Sequence, residues 1–266
     1  MRMASSNPIL VTTSHGAKQE IRNKAKHYAS EHGLQYISRR KIGDLNTLSS
    51  KNCIYVFSQE KILSIVHKGG ELFFHPSVAK IRMLNICKGQ PDHLIDSLSL
   101  NRDSNVLDTT LGLGTEALLI AAFAQKGSVT ALEQSEHISE VVRFGLREYR
   151  FRERWMADAA SRIEVVNRSF KDYLQETPEK SFDVVYCDPM FERPKAKSSS
   201  INALRPFASH ELPSENDIVQ MIRVAARRVV FKVRKTDRLF HSLLSLGFST
   251  RERSSSDILF LVAEST

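Results

Sequence analysis

Cysteine is scarce in this chain of 266 residues, and Cys53, Cys87 and Cys187 stand too far apart to make a CxxC pair or a zinc-ligand cluster. That spacing argues against a disulfide-framed secreted fold; reduced, partly buried thiols are expected. Long apolar runs are also missing. No stretch approaches the roughly 20 apolar residues that cross a bilayer, and MRMASSNPILVTT has too short an apolar segment for a secretory signal. A cytoplasmic protein with no membrane partner is expected. There is no internal repeat, and low complexity is confined to Ser198–Ser200 and Ser254–Ser256. Acidic residues are outnumbered, 30 against 38 Lys and Arg, for a formal charge of +8 and a pI near 9.4. Such a balance favours a polyanionic partner such as RNA or DNA. Hydrophobic residues make up 41% of the chain, enough to build a real core.

What is present falls into two stretches. Residues 1–91 read as a smaller α/β unit, a candidate for substrate positioning. Its strands are ILVTT (9–13), LQYIS (34–38), CIYVF (53–57), ILSIV (62–66) and ELFFH (71–75), with an amphipathic helix running to about His32 and a short helix closing at Gly89. Residues 92–266 alternate strand and helix. The strands are VLDTT (106–110), SVTALE (128–133), RIEVV (162–166), FDVVYCD (182–188) and RVVFKV (228–233), and one long helix is expected from His137 to about Trp155. Nearly continuous hydrophobic strands belong to a sheet covered on both faces. FSTRER and DILFLVAE then suggest an antiparallel hairpin at the sheet edge. The fold class is α/β: a doubly wound, mostly parallel sheet with a C-terminal antiparallel hairpin, plus the smaller N-terminal unit.

Between the first strand of the larger unit and its helix stands Gly112-x-Gly114-x-x-Ala117, a relaxed dinucleotide fingerprint. Glu133 ends the next strand, where an acid can accept hydrogen bonds from both ribose hydroxyls of an adenosine. Glycines let backbone approach a ligand, and the free N–H groups near Thr115 favour a polar or anionic group. NAD and S-adenosylmethionine (SAM) both present an adenosine to this arrangement. Asp108 favours the second, since a carboxylate four residues before Gly112 sits badly beside a pyrophosphate but suits an ammonium. A nicotinamide enzyme also lacks its hydride-transfer set here.

The run DVVYCDPMF brings a strand to Asp188, Pro189, Met190 and Phe191. Ligands of open α/β sheets lie beyond the carboxyl ends of the strands, where Asp108, Glu133 and Asp188 all project. Pro189 stiffens the turn. Asp188 can accept a hydrogen bond from an exocyclic N–H, and Phe191 can lie over a flat base. Methylation of such an amine needs alignment and a hydrogen-bond acceptor, with neither metal nor covalent nucleophile. Cys187 reads as structural.

These residues resemble a known family. Asp108-Thr-Thr-Leu-Gly112-Leu-Gly114 with Glu133 is similar to motifs I and II of class I SAM-dependent methyltransferases. Val185-Tyr-Cys-Asp188-Pro189-Met190-Phe191 looks like the signature of the small-subunit rRNA guanine-N2 methyltransferase group of enterobacteria. The match is closer still to a Gram-positive branch near that group, with Phe74-His75-Pro76 and Ile81-Arg82 as a landmark of its companion region. The resemblance covers about residues 92–263. It implies a Rossmann-like class I methyltransferase fold with a seven-stranded sheet, SAM as cofactor, and guanine N2 of small-subunit rRNA as a candidate acceptor. It places Asp108, Thr110, Gly112, Gly114, Glu133, Gln134, Ser169 and Phe170 on the cofactor side. Asp188, Pro189 and Phe191 fall to catalysis, and Met190 to the acceptor. Asn167-Arg168-Ser169-Phe170 departs from the many class I enzymes that carry an Asp there.

Cations flank the acceptor motif. Arg193, Lys195 and Lys197 could pair with phosphates from a closing segment, and His75 could approach the cleft. Arg143, Arg147, Arg150 and Arg154 recur at helical spacing and could form one stripe. Lys232, Arg234 and Lys235 could widen the positive field, and Arg39, Arg40 and Lys41 form a short basic cluster. A methyltransferase acting on a small molecule or a protein, and a non-catalytic RNA-binding module on a nucleotide fold, stand as the alternatives.

Overall fold

β-branched and aromatic runs become strands and the glycine-led stretches become turns and helices. In the computed structural model, residues 8–68, 70–191, 199–250 and 257–265 are described. In chain order these give β1 (Ile9–Thr13), α1 (Gln19–Glu31), β2 (Gln35–Tyr36), a 3-10 turn (Arg39–Lys41), α2 (Leu45–Ser49), β3 (Cys53–Ser58), β4 (Ile62–His67) and β5 (Gly70–Phe73). Next come α3 (Ser77–Cys87), α4 (His93–Leu98), β6 (Val106–Asp108), α5 (Thr115–Phe123), β7 (Val129–Leu132), α6 (Glu136–Glu148), α7 (Arg154–Ala160) and β8 (Ile163–Val166). The chain then runs through α8 (Phe170–Glu176), β9 (Phe182–Cys187), α9 (Ser199–Leu204), α10 (Glu215–Val224), β10 (Ala225–Arg234), α11 (Arg238–Ser245) and β11 (Ile258–Glu264).

Two compact units result. The first comprises Met1–His75, Glu140–Arg150 and Ser198–Pro206; the second comprises Pro76–Ser139, Phe151–Lys197 and Phe207–Thr266. The break falls at His75/Pro76 and not at 91/92, and α3 joins the second unit. Within that unit Arg82 of α3 forks onto Asp92 at 2.8 and 2.9 Å, and Lys80 pairs with Glu153.

The first unit is a five-stranded sheet in the order β2-β1-β3-β4-β5. β2, β1 and β3 run parallel, while β3-β4-β5 is an antiparallel meander. Its core is aromatic: Tyr28 meets Phe57 at 5.3 Å and Phe144 at 5.6 Å, with Phe57 edge-on to Phe144 at 5.6 Å.

The second unit is a six-stranded sheet, β11-β10-β9-β6-β7-β8, parallel throughout except for β11. Leu107, Val185, Cys187, Phe231, Leu243 and Leu261 lie in one buried cluster, as the continuous hydrophobic strands require. Strand order reverses direction between β6 and β9, which is the crevice position of a doubly wound sheet.

Several elements differ from what the sequence suggests. Among the described residues, Phe248–Thr250 does not form a hairpin strand. A lone bridge joins Ser249 to Val262, and β11 pairs along its length with β10 from Arg228–Glu264 to Arg234–Ile258. Among the described residues the sheet has six strands and that bridge; residues 251–253, the rest of the expected strand, lie outside them. The expected helix from His137 to Trp155 is two helices, with Tyr149–Glu153 between them. No Gly or Pro marks that break; Tyr149 instead packs edge-on to Phe74 at 5.8 Å. The helical arginine stripe is divided accordingly: Arg143 and Arg147 lie in α6 beside Glu140 and Glu148, and Arg154 opens α7 beside Asp158. Cys53 and Cys187 are buried, but Cys87 is exposed. No helix among the described residues is long and apolar enough to cross a membrane.

Candidate active site

β6 delivers Asp108 to the sheet's carboxyl edge in register with Tyr186 of β9, two residues short of Asp188. The two loops are then tied together. Thr109 Oγ1 donates to the Tyr186 carbonyl at 2.9 Å, and the Asp188 N–H donates to Thr110 Oγ1 at 2.7 Å. Thr110 thus fixes the distance between the glycine turn and the Asp-Pro-Met-Phe turn. Gly112 and Gly114 both take left-handed backbone angles, φ +52° and +76°, and Gly114 lies immediately before α5. A side chain at either would strain the turn whatever the space around it.

Glu133, just beyond β7, closes the turn from the other side. Its Oε2 accepts from the Gly112 N–H at 3.2 Å and its Oε1 from the Ser135 N–H at 2.8 Å. Asp108 Oδ1 accepts from the Thr110 N–H at 3.0 Å, while Oδ2 is buried with no hydrogen-bond partner among the described residues. Burial raises both carboxyls to about 7; the charges of Glu116, Asp188 and Glu133 add to the rise at Asp108, and N–H donors oppose it at each.

Asp188 is held by a partner from β10. Lys232 Nζ donates to its Oδ2 at 2.6 Å and also lies 3.7 Å from Glu116. Glu116 in turn is 3.2 Å from Arg82, which forks onto Asp92. The result is an alternating chain of charges, Asp92–Arg82–Glu116–Lys232–Asp188, with the buried Tyr186 hydroxyl beside it. Burial raises Asp188 and Lys232 pulls it back, leaving it at about 6. Burial favours the neutral amine of Lys232, but Asp188 and Glu116 together hold it above its ordinary value. Arg234, at the end of β10, lies over the Phe191 ring at 4.6 Å.

The fold therefore brings together Asp108, Thr110, Gly112, Gly114 and Glu133, and sets Asp188 and the Pro189-Met190-Phe191 turn beside them. Ser169 caps α8 by accepting from the Lys171 N–H at 3.3 Å. Phe170 is buried in the core cluster with Leu174, so its ring serves packing. Gln134 is exposed, and Asn167 Nδ2 donates to the Glu133 carbonyl at 2.8 Å. His75 is an exposed residue of the first unit, edge-on to Phe73 at 5.9 Å. Arg193, Lys195 and Lys197 lie outside the described residues.

Lys232 and Arg234 are engaged locally, Lys232 with Asp188 and Glu116, and Arg234 over the Phe191 ring and 3.9 Å from Asp257. Composition alone does not reveal these pairings, nor the place of Glu116 and its anchoring by Arg82. A signal was present: Lys232 interrupts the apolar run Val229-Val230-Phe231-x-Val233, and a charge inside a buried strand calls for a partner.

The residues suit SAM on grounds visible in the site. Three carboxylates converge, two of them raised to about 7 chiefly by burial, and a buried oxygen of Asp108 lacks a partner among the described residues. A ligand carrying a sulfonium and an ammonium would satisfy that oxygen and relieve the repulsion between the carboxylates.

Comparison with known proteins agrees. Residues 73–243 match a family model described as "Putative SAM-dependent methyltransferase". Protein YpiP of Bacillus subtilis (strain 168) is 31% identical over 225 residues, covering 84% of this chain and 88% of that one. Ribosomal RNA small subunit methyltransferase J of Francisella philomiragia is 27% identical over 195 residues, covering 68% of this chain and 75% of that one. Among solved structures, a SAM-dependent methyltransferase from Neisseria gonorrhoeae superposes with a TM-score of 0.60 over 96% of each chain at 15% identity, a likeness of fold.

Proposed function

The chain belongs to the SAM-dependent methyltransferase family whose model covers residues 73–243, and from that premise we propose that it methylates an exocyclic amine of an RNA base, guanine N2 in small-subunit rRNA. The enzyme is a SAM-dependent methyltransferase; its acceptor is the proposal. The observation that carries it is the Asp188-Pro189-Met190-Phe191 turn, set across the crevice from the glycine turn and held by Lys232. The name borne by the Francisella philomiragia relative, an rRNA methyltransferase, supports the acceptor class, and the net charge of +8 suits a polyanion.

SAM, when bound, supplies an electrophilic methyl group on a sulfonium. Everything else falls to the chain. Asp108 and Glu133 hold the cofactor side: Glu133 offers its carboxylate to ribose hydroxyls, and Asp108 offers its unpartnered oxygen to an ammonium. Phe191, backed by Arg234, gives a ring for a base to lie on. Asp188 takes a hydrogen bond from the exocyclic amine. An arylamine nitrogen is a poor nucleophile because its lone pair is spread into the ring, and hydrogen bonding through its protons localises that pair. As the nitrogen bonds to carbon it must lose a proton, and Asp188 is the acceptor in reach. At about 6, its pKa makes it a better base than an ordinary carboxylate while keeping it ionised at neutral pH.

The test is transfer of labelled methyl from SAM to total RNA of a strain lacking the gene, followed by identification of the modified nucleoside. N2-methylguanosine in small-subunit rRNA is expected. Label in another nucleoside overturns the guanine assignment, and label absent from all RNA overturns the acceptor class. Asp188→Ala should abolish transfer while SAM affinity stays within about twofold; full turnover would remove Asp188 from the chemistry.

A further inference from the structure

The first unit contains a cavity of about 310 Å³, near the lower end of the usual range for small-ligand pockets. It lies where β1 and β2 end. β1 runs out at Thr13 through Ser14–Ala17 into α1, and β2 ends at Tyr36, followed by Ser38 and the Arg39–Lys41 turn. β2, β1 and β3 are parallel; the connection from β1 leaves toward β2 and that from β3 leaves toward β4. Because β1 and β2 are parallel, the loops that leave them open at the same edge of the sheet and line the cavity together.

The chemistry of the lining is one-sided. Arg22, Arg39, Arg40 and His15 face the cavity with Ser14 and Ser38, and no lining residue is acidic. Two of the guanidiniums are fixed by neutral acceptors. Arg22 donates to the Ala17 carbonyl and to Gln19 Oε1 at 3.0 and 3.2 Å. Arg39 donates to the carbonyls of Ile42 at 2.7 Å and Gly43 at 3.2 Å. These bonds position the cations without cancelling their charge. Elsewhere in the chain Arg82, Arg168 and Arg228 each meet a carboxylate. Arg40 is exposed and makes no hydrogen bond or ion pair among the described residues. The carboxylate of Asp44, which acts on Arg39, is occupied by the N–H groups of Asn46 and Thr47 and the Thr47 hydroxyl. Lys26 adds a further cation over the Tyr36 ring at 5.8 Å. Guanidiniums that line one cavity with no acidic residue in its wall favour an anion, and a phosphate offers each planar guanidinium a bidentate partner.

We propose that this cavity is a phosphate site, separate from the methyl-transfer residues, that takes a backbone phosphodiester of the substrate RNA. The choice of RNA rests on the acceptor reading above; the choice of phosphate rests on the cavity alone. A single-stranded backbone phosphate bound here releases counterion, so each neutralised phosphate adds about 0.7 to the slope of log affinity against log salt.

The experiment uses the full chain as wild type, Arg40→Gln, Arg39→Gln/Arg40→Gln and Arg40→Lys. A labelled oligoribonucleotide is titrated over a range of salt, with inorganic phosphate and GMP titrated calorimetrically in parallel, and SAM affinity and thermal midpoint reporting the fold. The expected result is a slope shallower by about 0.7 for each phosphate that a glutamine variant no longer neutralises, restored by Arg40→Lys, with SAM affinity unchanged. If phosphate or GMP binding depends on Arg40 while the RNA slope does not, the RNA assignment is overturned. If no probe responds to either glutamine variant, the site itself is overturned. Methyl transfer to RNA separates the two readings. A wild-type enzyme that leaves RNA unmethylated yet shows the arginine-dependent slope loses its acceptor assignment and keeps this site.

Discussion

Replacing Lys232 by Met tests whether the charge chain behind Asp188 sets the working pH of the enzyme. The change keeps most of the side-chain volume and removes an ammonium 2.6 Å from Asp188 Oδ2 and 3.7 Å from Glu116. Two unit charges about 4 Å apart interact by about 4 kcal/mol at an effective dielectric near 20. Both side chains are 21% exposed, so solvent screening reduces this, and about 2 kcal/mol, or ~1.5 pKa units, is a conservative figure. Asp188 then moves from about 6 to ~7.5. At pH 7 the ionised fraction falls from about nine-tenths to about a quarter, so transfer slows about fourfold and recovers near pH 9. The assay is kcat/KM for methyl transfer to RNA across that range. Lys232→Arg, which keeps the charge, should hold the acidic limb near its wild-type position. A Lys232→Met profile parallel to wild type, with equal loss at every pH, would refute the reasoning and leave Lys232 a packing residue.

Other consequences follow from the same geometry. Glu133→Gln should weaken SAM binding by calorimetry, since the amide oxygen replaces only one acceptor of the carboxylate; unchanged affinity would remove its ribose assignment. Asp108 and Glu133 titrate in the free protein near 7, above their unfolded values near 4, so the folded state binds more protons than the unfolded one. Their contribution is full below about pH 4 and is lost as pH rises through 7. Urea midpoints between about pH 5 and 7.5 should fall more steeply for wild type than for Asp108→Asn, and identical slopes would contradict the burial assigned to Asp108. At Gly145, in the interior of α6, an added methyl would overlap the Phe74 ring. Gly145→Ala should therefore destabilise by about 1–3 kcal/mol; a gain of about 1 kcal/mol, as helix propensity alone would give, would show that Phe74 yields.

The order of elements and the cofactor side of the site were legible in the sequence because their signals are local. Gly112 and Gly114 announce a turn that needs left-handed angles, Asp108 and Glu133 stand at strand ends, and Asp188-Pro189 stops a buried strand. Periodicity and turn chemistry carry such information within a few residues. The acceptor motif was legible only as a type. That Asp188 stands beside the glycine turn depends on β9 lying next to β6, a pairing across nearly 80 residues. The tertiary structure also decided what could be read only as generic surface charge. Lys232, in a strand between Phe231 and Val233, becomes the partner of Asp188; Arg82, from a helix expected in the smaller unit, anchors Glu116; and Phe170 turns into the core. Local sequence determines backbone shape, because propensity acts through near neighbours. Which charge meets which is decided by packing, because a buried ion is tolerated only where distant strands bring it a partner.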